Sequence, residues 1–222
     1  MELTKMLMGM FAPLPLMVIG YMLYFRFRAH RMLTAKIIAK CTATLMCAAA
    51  AFAGLFASGQ SVWTSLLFWG IVACVLGDGL LEIHFVSGMA AFGAGHVLLT
   101  GWIYSLMSAA GGISPLVFII WAAAYVVTLI AFGKYLKGLG AKMLPFLLYP
   151  ALLIAMAAMA LVLPLRMGAR ALCTAFGGTL FAVSDMFVAK GFFDQLTPAW
   201  DRFALAIYYI AVYCLAVSAW FL

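Results

Sequence analysis

Eight apolar runs follow one another along this chain, at about residues 7–25, 37–56, 63–82, 85–107, 115–133, 143–164, 169–190 and 202–222. Each approaches the roughly 20 residues that an α-helix needs to cross the hydrocarbon of a bilayer. In lipid every backbone N–H and C=O must be satisfied within the protein, so runs of this length read as helices. Membrane-spanning strands would be about ten residues long with alternating polarity, and these runs do not alternate. The expected fold is an all-α membrane protein, a bundle of eight transmembrane helices. Composition agrees: 68% of the 222 residues are hydrophobic and 9% are charged, against roughly 25% charged in soluble domains. The polar segments between runs are too short for a core of their own. Residues 1–222 are therefore expected to form one membrane domain, with no soluble domain.

The net charge of +7 does not point to nucleic acid, because the basic residues sit in short loops, where membrane topology puts them. Arg26, Arg28, Arg31, Lys36 and Lys40 follow the first run, Lys134, Lys137 and Lys142 the fifth, and Lys190 and Arg202 the seventh. That side holds ten of the thirteen basic residues, leaving Lys5, Arg166 and Arg170 on the other. The positive-inside rule puts the richer side in the cytoplasm and both termini on the non-cytoplasmic side. The N-terminal run has no small-residue cleavage site and reads as a retained span. At a constant offset of 107, Gly70, Asp78 and Phe85 fall on Gly177, Asp185 and Phe192. This is a faint sign of a 4+4 parallel internal repeat, whose axis would run along the membrane normal.

Ionisable groups at membrane depth are costly, so each is a functional candidate. Asp78 lies in the third run between Gly77 and Gly79, and Asp185 in the seventh, after Ser184. Both runs point toward the cytoplasm, so the two carboxylates are expected about 6–8 Å below that boundary. Glu82 stands one turn after Asp78, on the same helix face, as a charge at the helix end. Lys40, near the start of the second run, is placed to neutralise a buried carboxylate or a phosphate. His96 lies deeper, and Tyr149, Tyr208 and Tyr209 are candidate hydroxyl donors. His84 and His96 are twelve residues apart, about 18 Å along one helix, so they cannot share a zinc ion, and no metal or cofactor is expected. The five cysteines are odd in number and lack CxxC spacing, and read as packing thiols. The chain carries no GxSxG, P-loop, HExxH or dinucleotide fingerprint.

Gly77-Asp78, then Phe85-x-x-Gly88-x-x-x-Phe92-x-x-x-His96, resembles the YhhN-like family of polytopic membrane proteins. So do Gly178-x-x-Phe181-x-x-Ser184-Asp185 and Tyr208-Tyr209, with Lys40 and Tyr149 in the places of a family Lys and Tyr. The likeness spans nearly the whole chain. It departs at Leu99, Val212 and Cys41, where the family pattern has Tyr, Gln and Pro.

The resemblance implies a lysoplasmalogenase: hydrolysis of the vinyl-ether bond of a single-chain lysophospholipid to a fatty aldehyde and a glycerophospho-headgroup. Such a bond is cleaved by protonating the β-carbon, which leaves an oxocarbenium ion for water to capture. Glycosidases meet a related problem with two carboxyls in different surroundings. Asp78 and Asp185 are the expected catalytic pair. Lys40, Glu82, His96, Tyr149, Ser184 and Tyr208 are the expected supporting or substrate-binding residues. The expected location is a bacterial inner (plasma) membrane, with lipids as the partners. Buried Asp, His and Lys also serve transporters, which makes a proton-coupled carrier the alternative. Discontinuous helices would favour the carrier, and the third and seventh runs have no mid-span Pro.

Overall fold

The computed structural model describes residues 3–140 and 143–222. Lys142, counted above with the basic loop after the fifth run, lies outside the described residues. The chain is helical throughout: α1 (Leu3–Phe11), α2 (Leu14–Ala29), α3 (Leu33–Ala57), α4 (Leu66–Leu81), α5 (Phe85–Ala109), α6 (Pro115–Leu136), α7 (Met143–Val162), α8 (Pro164–Met167), α9 (Leu172–Phe193) and α10 (Pro198–Val217). Starts follow local chemistry. Ser65, His84, Ser114 and Thr197 each accept a hydrogen bond from a backbone N–H of the first turn, satisfying a donor that the helix itself leaves open. Pro115 and Pro198 sit in first turns, where a missing N–H costs nothing.

Among the described residues six stretches, not eight, are long and apolar enough to cross a membrane: Met6–Ala29, Leu33–Ala57, Phe85–Ala109, Pro115–Leu136, Met143–Phe193 and Pro198–Trp220. The chain is thus a multi-pass membrane protein. Two runs depart from the expected pattern for clear reasons. The third is helical only over the 16 residues of α4, about 24 Å, because Gly59 turns at positive φ and the chain stays irregular as far as the Ser65 cap. The sixth and seventh lie in one 51-residue stretch, which Pro164 and Gly168, at φ +68, interrupt between α7 and α9. The first run is also broken, between α1 and α2, at Ala12-Pro13, since proline cannot donate to the helix ladder.

Helices α2 to α5 lie each against the next, as do α6, α7, α9 and α10. The two groups meet reciprocally: α5 lies on α7, and α10 lies on α3. Close approach depends on glycine. A Cβ at Gly88 would sit 2.5 Å from the Leu81 Cα, and one at Gly177 would sit 2.8 Å from the Ala211 carbonyl. The outside is apolar, most of all on α6, where Phe118, Ile119, Val126, Val127 and Ile130 are exposed. So wide an apolar surface suits lipid and not water.

Candidate active site

One cavity of about 990 Å³ opens among α2, α3, α4, α5, α6, α7, α9 and α10, and both Asp78 and Asp185 line it. Its volume is at the upper end of the roughly 300–1,000 Å³ typical of small-molecule sites. Asp78 stands three residues before the end of α4 and is 1% exposed. Thr44 and Tyr208 donate their hydroxyls to its Oδ2, Tyr208 at 2.8 Å, and Lys40 Nζ lies 3.5 Å from its Oδ1. Both oxygens therefore face donors, which is the shell of an ionised carboxylate.

Lys40 links Asp78 to a second acid. Its ammonium donates to Glu82 Oε1 at 3.1 Å, which also accepts from the Tyr24 hydroxyl at 2.8 Å. Lys36 lies 2.7 Å from Glu82 Oε2. Glu82 is thus a shared anchor for two lysines and a tyrosine, more than the charge at a helix end that its position suggests. Two lysines set against two carboxylates leave this buried cluster neutral, and uncompensated charge here would cost several kcal/mol.

Asp185 has different surroundings. Tyr149 donates its hydroxyl to Asp185 Oδ2, and His96 Nε2 lies 3.2 Å from the Tyr149 oxygen and 3.5 Å from Asp185 Oδ2. His96, expected deeper in the bundle, shares this layer. Its Nδ1 is buried without a partner among the described residues, so the ring proton belongs on Nε2, where acceptors stand. The order of donation is then His96 to Tyr149 to Asp185. Among the described residues, Asp185 Oδ1 has no protein partner and no Lys or Arg makes an ion pair with this carboxylate. Phe181 packs edge-on to both His96 and Tyr208, at 4.8 and 5.4 Å between ring centres, and so lies between the two shells.

Residues expected at the site divide in two. Lys40, Glu82, His96, Tyr149 and Tyr208 surround the two carboxylates. Ser184 borders the cavity, but its hydroxyl donates to the Ala204 carbonyl at 3.0 Å and ties α9 to α10. Tyr209 donates to the Lys40 carbonyl at 3.3 Å. His84 caps α5, its Nδ1 accepting from the Ser87 N–H at 3.3 Å. Thr44, Tyr24 and Lys36 are partners that sequence reading missed. Thr44 stands one turn from Lys40, so the spacing was a usable signal; Tyr24 carries none.

The cavity has two unlike arms. Along α2, the end of α4 and the start of α10 run Tyr24, Glu82, Arg28 and Asp201, joined by hydrogen bonds. On the other side Phe85, Phe146, Phe192 and Phe193 form a continuous cluster, with Phe85 stacked on Phe192 at 4.1 Å and Phe146 5.4 Å from Phe193. Phe132 of α6 extends it, 6.3 Å from Phe193. Head and tail of an amphiphile match such a division.

The YhhN family model matches residues 35–219, and that span holds Asp78, Asp185 and all the partners of each; Tyr24, which binds Glu82, lies before it. The chain belongs to the YhhN family. No curated protein and no solved structure matches it significantly. Within this YhhN protein the matched region begins just ahead of Lys36 and ends past Ser218, and so contains α4, α5, α9 and α10 entire.

Proposed function

We propose that this protein is a lysoplasmalogenase-like membrane hydrolase that cleaves the vinyl ether of a single-chain lysophospholipid. The observation that carries the reading is the placement of two carboxylates in unlike shells on one cavity, charged along one arm and aromatic along the other. The headgroup occupies the charged arm, the alkenyl chain the aromatic arm, and the vinyl ether lies between them.

The two shells suggest separate tasks. Asp185 takes the part of the acid in this reading, because its Oδ1 has no partner among the described residues and borders the cavity. It gives a proton to the β-carbon of the vinyl ether, where the C=C π pair forms the new C–H bond, and a lone pair of the ether oxygen shifts onto the α-carbon to give the oxocarbenium ion. Asp78, ionised and held by Lys40, Thr44 and Tyr208, stabilises that cation. Water adds to the cationic carbon and loses a proton to the Asp185 carboxylate, which restores the acid. The hemiacetal then collapses: its C–O bond to glycerol breaks, its hydroxyl proton passes to the glycerol oxygen, and a fatty aldehyde leaves. One water is consumed and no cofactor enters.

The finer architecture belongs to the same reading. In it the chain makes eight helical passes, with α4 short and α7 and α9 separate, both termini lie on the non-cytoplasmic side, and the charged arm lies at the cytoplasmic face of an inner membrane. The reciprocal contacts of α5 on α7 and α10 on α3 support a 4+4 parallel repeat. The stacking of Phe85 on Phe192 supports it too, since equivalent residues meet only near the repeat axis. A carrier is the weaker reading, because α4 and α9 run without an internal proline. The test is incubation of purified protein with 1-alkenyl and 1-acyl lysolipids. Aldehyde from the first and no fatty acid from the second is expected; fatty acid release alone would sink the assignment.

A further inference from the structure

Arg202 lies beside the charged arm, and the site described above makes no use of its charge. It lines the cavity and is exposed, yet among the described residues its guanidinium forms no ion pair with a carboxylate. Its place is nevertheless fixed. The guanidinium carbon lies 5.6 Å over the Phe25 ring, and its backbone carbonyl accepts the Tyr21 hydroxyl at 3.2 Å. Phe25 and Arg28 are three apart on α2, hence neighbours on one helix face. Arg28 in turn holds Asp201, the residue beside Arg202, at 2.6 Å. Two arginines, one from α2 and one from α10, therefore line the same cavity, and Asp201 pairs with the first and adjoins the second in sequence.

The arm also has a graded depth. Asp78 and Glu82 are one turn apart on α4, and Tyr24, bound to Glu82, is one turn from Arg28 on α2. By this path Arg28 stands about two helical turns, or roughly 11 Å, from the Asp78 carboxylate. A glycerol unit fits between a bond held at the carboxylates and a group held at the arginines. Guanidinium groups bind phosphate oxygens in pairs, through parallel N–H donors.

We infer that Arg202, with Arg28 opposite, forms a phosphate subsite at the mouth of the cavity that holds the phosphodiester of a lysolipid headgroup. The inference rests on the hydrolase reading for its substrate, but its binding can be tested apart from turnover. Arg202 is then the specificity-determining residue that separates phosphorylated lipids from neutral ones of the same chain.

The experiment compares 1-alkenyl-glycerophosphoethanolamine with 1-alkenylglycerol on the full chain in detergent. Arg202→Gln should reduce the preference for the phosphorylated substrate roughly tenfold or more, through KM. Lys190→Gln, a cation outside the cavity lining, should keep that preference. The same pair of proteins is assayed for binding of the uncleavable 1-alkyl analogues, with and without the phosphate. If the wild type cleaves neither substrate, the hydrolase reading fails, while a selective loss of phosphorylated-analogue binding in Arg202→Gln still supports the subsite. Equal binding of both analogues by both proteins overturns the subsite even if aldehyde is released. Competition by free glycerophosphate as strong as by the lysolipid would assign the arginines to a soluble phosphate and overturn the lipid assignment.

Discussion

Tyr149 is the side chain through which the account is most exposed at the level of single residues. It donates to Asp185 and accepts from His96, so Tyr149→Phe removes the middle of that order without changing the ring. Turnover should fall by roughly ten- to a hundredfold with KM little altered, measured as aldehyde release; a change confined to KM would make Tyr149 a binding residue only. Lys40 offers the matching test on the other acid. Lys40→Met leaves Asp78 and Glu82 with one ammonium between them, and should destabilise the fold by about 3–5 kcal/mol, read as a lower melting temperature in detergent. Both acids are legible in the sequence because a carboxylate stands out in an apolar run. Thr44 is marked only by its spacing from Lys40, and Tyr24, the partner of Glu82, by nothing, since Tyr is ordinary in such helices and only the fold brings it near. The aromatic arm is hidden for the same reason: with 18 Phe in the chain, nothing marks the few that meet.

Between helices, glycine sets what positions the site. Gly88 lies on the Leu81 backbone where α4 turns into α5, and a Cβ there would be 2.6 Å from the Leu81 nitrogen. Backbone cannot yield as a flexible side chain can. Gly88→Ala should therefore destabilise by about 1–3 kcal/mol and move Asp78 relative to the α5 residues. Gly133 on α6 has nothing within 4 Å of the same added atom, so Gly133→Ala should be neutral or slightly stabilising; thermal unfolding of the two variants side by side checks the contrast. The helices themselves are read well from their apolar runs. Their ends are not, because ends depend on backbone turns. Gly59 and Ser65 shorten α4, and Pro164 with Gly168 separates α7 from α9 within a stretch that hydropathy alone reads as continuous.

For the molecule as a whole, reciprocal helix contacts frame a lining that is not reciprocal. Each of the two groups of helices holds one acid, with one partner from the long helix before it and one from the last helix of the other group. Thr44 and Tyr208 serve Asp78, and Tyr149 and His96 serve Asp185. Lys40 belongs to one side alone, so the two carboxyls differ in the cation beside them. Orientation in the membrane is tested by single cysteines in a background lacking the five native ones. Lys137→Cys should react with an impermeant maleimide only in inverted vesicles, and Arg166→Cys only in intact cells; the reverse pattern would invert the topology. The most direct test of the central claim is the rate of aldehyde release by Asp185→Asn, in a variant that keeps the wild-type melting temperature. The account predicts a loss of about a hundredfold or more, and turnover near the wild-type rate would contradict it.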